Sequence, residues 1–173
     1  SETRSTLIER LEHKSFILCT MHRAENTDDI NRLTAIVNAL NQIHTVTPVV
    51  LPIHPRTKKI IQKSNLNLKV TIIDPVGYFD MIELLKHCKL VMTDSGGLQK
   101  EAFFFKKNCV TMRDQTEWVE LIENNVNVLV GADRDKIING YSHMLKAQSN
   151  FEIDLYGKGH AAEKIALSIS KMS

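Results

Sequence analysis

Short apolar runs alternate with longer amphipathic stretches along the chain. The runs lie at residues 16–20, 48–52, 70–73, 90–93, 109–112 and 126–130. Each has the length of a strand and reads as near-continuous rather than alternating, which predicts strands covered on both faces. Between them, apolar residues recur at helical spacing. Ile30, Leu33, Ile36, Val37, Leu40 and Ile43 mark one amphipathic helix, with an N-cap expected at Thr27 or Asp28. Further helices are predicted over residues 6–11, 56–62, 79–87 and 137–145, and behind the glycines at 96–97. Another is predicted to start within residues 113–118, and a terminal one covers residues 160–171.

Strand and helix alternate throughout, which predicts an α/β fold: a Rossmann-like, doubly wound, parallel sheet. Residues 1–173 read as a single domain in which 1–14 form a linker helix, so the chain is expected to be part of a longer polypeptide. No G-x-G-x-x-G follows the first strand, and no cofactor is expected.

The stretch Thr93-Asp94-Ser95-Gly96-Gly97-Leu98-Gln99-Lys100-Glu101 joins a strand to a helix through adjacent glycines. Such a turn presents free N–H groups at a helix N-terminus, where they and the helix dipole favour an anion. Ser95 adds a hydroxyl, and Glu101 adds a carboxylate able to accept hydrogen bonds from sugar hydroxyls. A nucleotide's ribose and diphosphate fit this arrangement. A capped turn with no ligand fits it as well.

Composition narrows the classes. The chain is 43% hydrophobic and 24% charged with a net charge of +2, which gives no argument for a nucleic-acid surface. No apolar run approaches the ~20 residues needed to span a membrane, and no signal peptide is seen, so no membrane partner is expected. Cys19, Cys88 and Cys109 sit in or beside apolar runs without metal-like spacing. They read as buried, reduced thiols, as suits a cytoplasmic protein.

Ligands of an open parallel sheet bind outside the carboxyl ends of its strands. The polar groups fall there: His22, Arg23 and Glu25; His54 and Arg56; Asp74 and Tyr78; Asp94 to Gly97; Arg113, Asp114, Thr116 and Glu117. Two histidines, several arginines and a glycine turn on one edge suit a diphosphate. Neither H-x-x-x-H nor a compact ligand triad occurs, so no metal is expected.

With these residues in view, the chain resembles the C-terminal half of the non-hydrolysing UDP-N-acetylglucosamine 2-epimerase family. The resemblance rests on His22-Arg23-Ala24-Glu25-Asn26, Pro52-Ile53-His54-Pro55, Asp74-Pro75-Val76-Gly77-Tyr78, the stretch from Thr93 to Glu101, Arg113-Asp114-Gln115-Thr116-Glu117 and Tyr156-Gly157-Lys158-Gly159-His160-Ala161. It implies the C-terminal domain of a GT-B enzyme, with the nucleotide sugar between two Rossmann-like domains. It implies diphosphate binding by His22 and Ser95-Gly96-Gly97, with His22 stabilising the leaving group. Glu101 would meet the ribose, the backbone from Tyr78 to Met81 would flank the uracil, and His54 would lie near a sugar nucleotide. Arg113 and Glu117 are further candidates for substrate binding.

The implied reaction eliminates UDP to a glycal and adds it back with C2 inverted, converting UDP-GlcNAc to UDP-ManNAc for surface polysaccharide precursors. Two positions depart from the family pattern. Trp118 replaces the arginine of Thr-Glu-Arg-Pro-Glu, and Lys100 replaces a glutamate. The Thr-Glu-Trp-Val-Glu form resembles a subgroup acting on modified sugars such as UDP-2,3-diacetamido-glucuronate. A GT-B glycosyltransferase is the remaining alternative. The family's acid/base carboxylates lie in an N-terminal domain outside these residues, so the fragment is expected to bind UDP weakly and not to epimerise. The family implies a homodimer of the whole enzyme.

Overall fold

The computed structural model describes residues 6–156. The predicted strands all form: β1 (Ile17–Thr20), β2 (Val49–Pro52), β3 (Thr71–Ile73), β4 (Leu90–Thr93), β5 (Cys109–Thr111) and β6 (Asn127–Leu129). Their order is β3-β2-β1-β4-β5-β6, with every neighbouring pair parallel. This is the Rossmann order, in which winding reverses between β1 and β4 and opens a crevice at their carboxyl ends. The two strands align from Ile17↔Leu90 to Thr20↔Thr93, where the two threonine hydroxyls share a 2.6 Å hydrogen bond.

The described helices are α1 (Leu7–Arg10), α2 (Ala24–Thr27), α3 (Ile30–His44), α4 (Pro55–Lys63), α5 (Tyr78–His87), α6 (Gly96–Phe104), α7 (Val119–Glu123) and α8 (Arg134–Lys146). The pleat sends Ile17, Cys19, Val49, Leu51, Leu90 and Met92 to the core shared with α3 and α8. It sends Leu18, Val50, Val91 and Cys109 to the core under α5 and α6. Both faces are therefore covered, which is why the strand sequences lack alternation. Each fully buried large apolar side chain contributes about 1.5–3 kcal/mol. Gly140 lets α8 lie close to the sheet, since a Cβ there would stand 2.7 Å from Val130 Cγ1.

Two local predictions require correction. The N-cap of α3 is Asp29, whose carboxylate accepts from Asn31 N and Arg32 N. Thr27 and Asp28 instead close the short helix α2. Residues 113–118 are loop, and α7 begins at Val119. Their side chains bond to α2, to α6 and to one another, which holds the backbone out of a helix. The terminal helix at 160–171 and the Gly157-Lys158-Gly159-His160 turn lie outside the described residues.

Three helices close on the rim of the sheet away from the crevice with the same device. After α4, α6 and α7, Asn65, Lys106 and Asn125 adopt φ values of 56°, 57° and 59°. Each donates its N–H to the third carbonyl back, and the next residue reaches the fifth, as in Lys106 N to Phe103 O and Lys107 N to Ala102 O. These are Schellman closures built without glycine.

The thiols are packing residues. Burial pushes Cys88 and Cys109 up to about 12 and raises Cys19 further. His44 also has a structural role: its Nδ1 accepts a 3.0 Å hydrogen bond from Val49 N at the head of β2. Burial, then the charge of His13, lowers its pKa from the ordinary 6.5. The unfolded chain therefore takes up the proton first as pH falls. This contribution to stability is complete above about 6.5 and is lost as pH drops through the lower folded value. The wild-type melting temperature should consequently fall between pH 7.5 and pH 5.5 by more than that of His44→Asn. Equal falls would exclude His44 as a source of acid sensitivity.

Candidate functional site

The carboxyl edge of β1 and β4 is held together by a buried carboxylate. Asp94 is fully buried at the end of β4. It accepts from His22 N at 3.1 Å, Arg23 N at 3.0 Å and Asn26 Nδ2 at 3.0 Å. Asn26, also fully buried, donates to Met112 O at 2.9 Å and so ties in the end of β5. One carboxylate and one amide thus fix three strand-end turns relative to one another. Burying an aspartate is favourable only with such donors, and here they come mainly from backbone N–H groups.

The glycine turn follows. Ser95 caps α6, its Oγ accepting from Leu98 N at 3.3 Å, while its N–H donates to Thr93 Oγ1 at 2.9 Å. Gly96 and Gly97 remain partly exposed at the first turn, where helix N–H groups have no intrahelical partner. Gly96 also has to be glycine because a Cβ would collide with the Glu117 carboxylate.

His22, His54, Tyr78 and Met81 line a 420 Å³ cleft together with Pro52 and Val76. His22 is exposed and uses only its backbone N–H in the fold. His54 caps α4 through Nδ1, which accepts from Arg56 N at 3.1 Å. In the neutral ring this leaves Nε2 carrying the proton. Met81 is buried and Tyr78 is exposed, giving the cleft an apolar floor and an aromatic rim.

The other candidates are arranged differently. Arg113, 11% exposed, is held between Glu25 at 3.2 Å and Glu117 at 3.1 Å, so its charge is balanced by two carboxylates. Glu101 is fully buried in α6. Asp94 had a readable signal, a carboxylate between an apolar strand and a glycine turn, but its partners come from 68 to 72 residues away. Among the described residues no group of three His, Cys, Asp or Glu side chains could hold a metal, and no helix is long and apolar enough to cross a membrane.

Comparison with known proteins agrees with this geometry. The profile of the UDP-N-acetylglucosamine 2-epimerase family matches residues 1–170. The UDP-2,3-diacetamido-2,3-dideoxy-D-glucuronate 2-epimerase of Pseudomonas aeruginosa is 58% identical over 158 residues, 91% of this chain and 45% of that enzyme. The structure of the UDP-GlcNAc 2-epimerase of Methanocaldococcus jannaschii superposes with a TM-score of 0.82 at 37% identity, covering 94% of this chain and 47% of the other. A complex of that enzyme with UDP-GlcNAc and UDP gives 0.80 at 36% identity, covering 96% and 50%. The chain spans about half the length of these relatives. With the Rossmann order, the glycine turn and the profile match in agreement, the chain belongs to the UDP-N-acetylglucosamine 2-epimerase family.

Proposed function

We propose that this chain is the UDP-binding half of a UDP-sugar 2-epimerase. The observation that carries the reading is the placement of His22 and the Ser95-Gly96-Gly97 turn at the β1/β4 crevice, stapled by Asp94. Exposed N–H groups at the start of α6 and the His22 ring form a cationic, dipolar cradle for a diphosphate. In an elimination the departing UDP gains negative charge, and donors fixed beforehand stabilise it without reorganising. The cleft lined by His54, Tyr78 and Met81 offers an apolar slot and an Nε2 donor for the rest of the ligand. Arg113 and Glu117 edge the glycine turn, and Glu101 is assigned to the ribose hydroxyls.

The sugar is read from the 58% identical relative, which favours UDP-2,3-diacetamido-2,3-dideoxy-glucuronate over UDP-N-acetylglucosamine. Proton transfer at C2 is assigned to carboxylates of a second domain in the same polypeptide, in a GT-B arrangement that pairs as a homodimer. The deciding experiment incubates the whole gene product with each UDP-sugar in D2O. Deuterium at C2 of the diacetamido-glucuronate is the expected result, and absence of exchange with both sugars rejects the epimerase reading. Residues 1–173 alone should bind UDP and leave both sugars unchanged. Glu101→Gln keeps shape and burial while removing charge, and should weaken UDP binding about tenfold. Unchanged affinity removes Glu101 from ribose recognition.

A further inference from the structure

Trp118 lies behind the glycine turn. Its indole Nε1 donates a 2.7 Å hydrogen bond to Gly96 O. That carbonyl and the N–H of Gly97 belong to one planar trans peptide unit, in which they point in opposite directions. Holding the oxygen therefore aims the N–H. A donor on the oxygen also polarises the amide, so its N–H becomes a stronger donor.

The preceding peptide unit has the same support. Gln99 Nε2 reaches Ser95 O at 3.3 Å, and that carbonyl shares its plane with the N–H of Gly96. Gln99 is buried and held by Thr116 Oγ1 at 2.7 Å and Asn127 Nδ2 at 3.1 Å. The indole is held in turn. Lys100 places its ammonium 4.6 Å from the Trp118 ring and 4.7 Å from the Tyr156 ring, and the two rings meet edge to face at 6.0 Å. Lys100 and Trp118 are the two positions that depart from the family pattern, and here they are in contact.

We propose that Trp118, steadied by Lys100, is a positioning residue that aims and polarises the Gly97 N–H toward the diphosphate, with Gln99 doing the same for Gly96. The inference rests on the UDP-binding reading above. Trp118 touches no ligand in this scheme and acts only through the Gly96–Gly97 peptide plane. The replacement of a Glu and Arg by Lys and Trp exchanges an ion pair for a cation–π contact, and leaves the turn one unit more positive.

The test is titration of the 173-residue chain and its variants with UDP and, separately, with uridine. Uridine lacks the phosphates and so does not use the glycine turn. Trp118→Phe removes the indole N–H and keeps an aromatic ring. It should weaken UDP about five- to tenfold and leave uridine unchanged. Lys100→Met, a change at a partly exposed position, should weaken UDP in the same sense and again spare uridine. UDP affinity within twofold of wild type in both variants overturns the proposal. Equal losses for UDP and uridine also overturn it, since they mark a purely structural role. Failure of the unaltered chain to bind UDP at all is a different result, and removes the UDP-binding reading together with this inference. If Trp118→Phe does not fold, Lys100→Met alone decides by the same UDP-to-uridine comparison.

Discussion

Asp94→Ala is expected to cost about 4 kcal/mol of folding stability and to abolish UDP binding. The carboxylate is fully buried and accepts from three donors: two backbone N–H groups after β1 and the Asn26 amide. Removing it leaves those donors buried without an acceptor, and each orphaned donor costs about 1–3 kcal/mol. For a domain of this size that loss corresponds to roughly 10 °C in melting temperature. Asp94→Asn should fall between the two, because one oxygen remains while an amide N–H now faces donors. The functional loss has a separate cause. Asp94 links the His22 turn to the strand that ends in the glycine turn, so its removal lets the two halves of the phosphate cradle move apart. A destabilisation below about 1 kcal/mol by urea unfolding would show that water replaces the carboxylate, and the staple argument would be wrong.

His22→Ala should behave in the opposite way. UDP affinity should drop about ten- to a hundredfold, the range for a hydrogen bond to a charged group. The melting temperature should stay where it is, because the ring is exposed and the fold uses only the backbone N–H of His22. Calorimetric titration with UDP beside a thermal melt separates the two quantities. An unchanged UDP affinity would place the diphosphate elsewhere along the crevice. Together the two substitutions divide the carboxyl edge into a group that builds the cradle and a group that faces into it.

Much of the fold was legible from the order of apolar runs. The residues of β4, Leu90–Thr93, coincide with the predicted run, and the glycine turn begins a helix where it was expected. What periodicity could not supply was the partner of each strand end. Residues 113–118 carry acceptable helix-starting chemistry, yet Thr116 spends its hydroxyl on Gln99 and Trp118 its indole on Gly96. Those contacts cross 17 and 22 residues of sequence, and no local pattern encodes them. Similarly, Asp29 rather than Thr27 or Asp28 caps α3 because an additional short helix, α2, takes up the two expected positions. Within the site, the chemical types at the strand ends were readable. Their division was not: His22, His54, Tyr78 and Met81 share one cleft, whereas Arg113 is closed off between Glu25 and Glu117.

The closures after α4, α6 and α7 place Asn65, Lys106 and Asn125 in left-handed backbone that glycine would occupy without penalty. At Lys106 the retained side chain costs about 1 kcal/mol of local strain. Those three positions lie on the rim of the sheet away from the crevice. The chain therefore carries an unclaimed reserve of stability, segregated from the edge that faces a ligand. Selection that only keeps a protein above a folding threshold has no cause to collect such a reserve. It remains open to offset substitutions that reshape the opposite edge toward a new sugar.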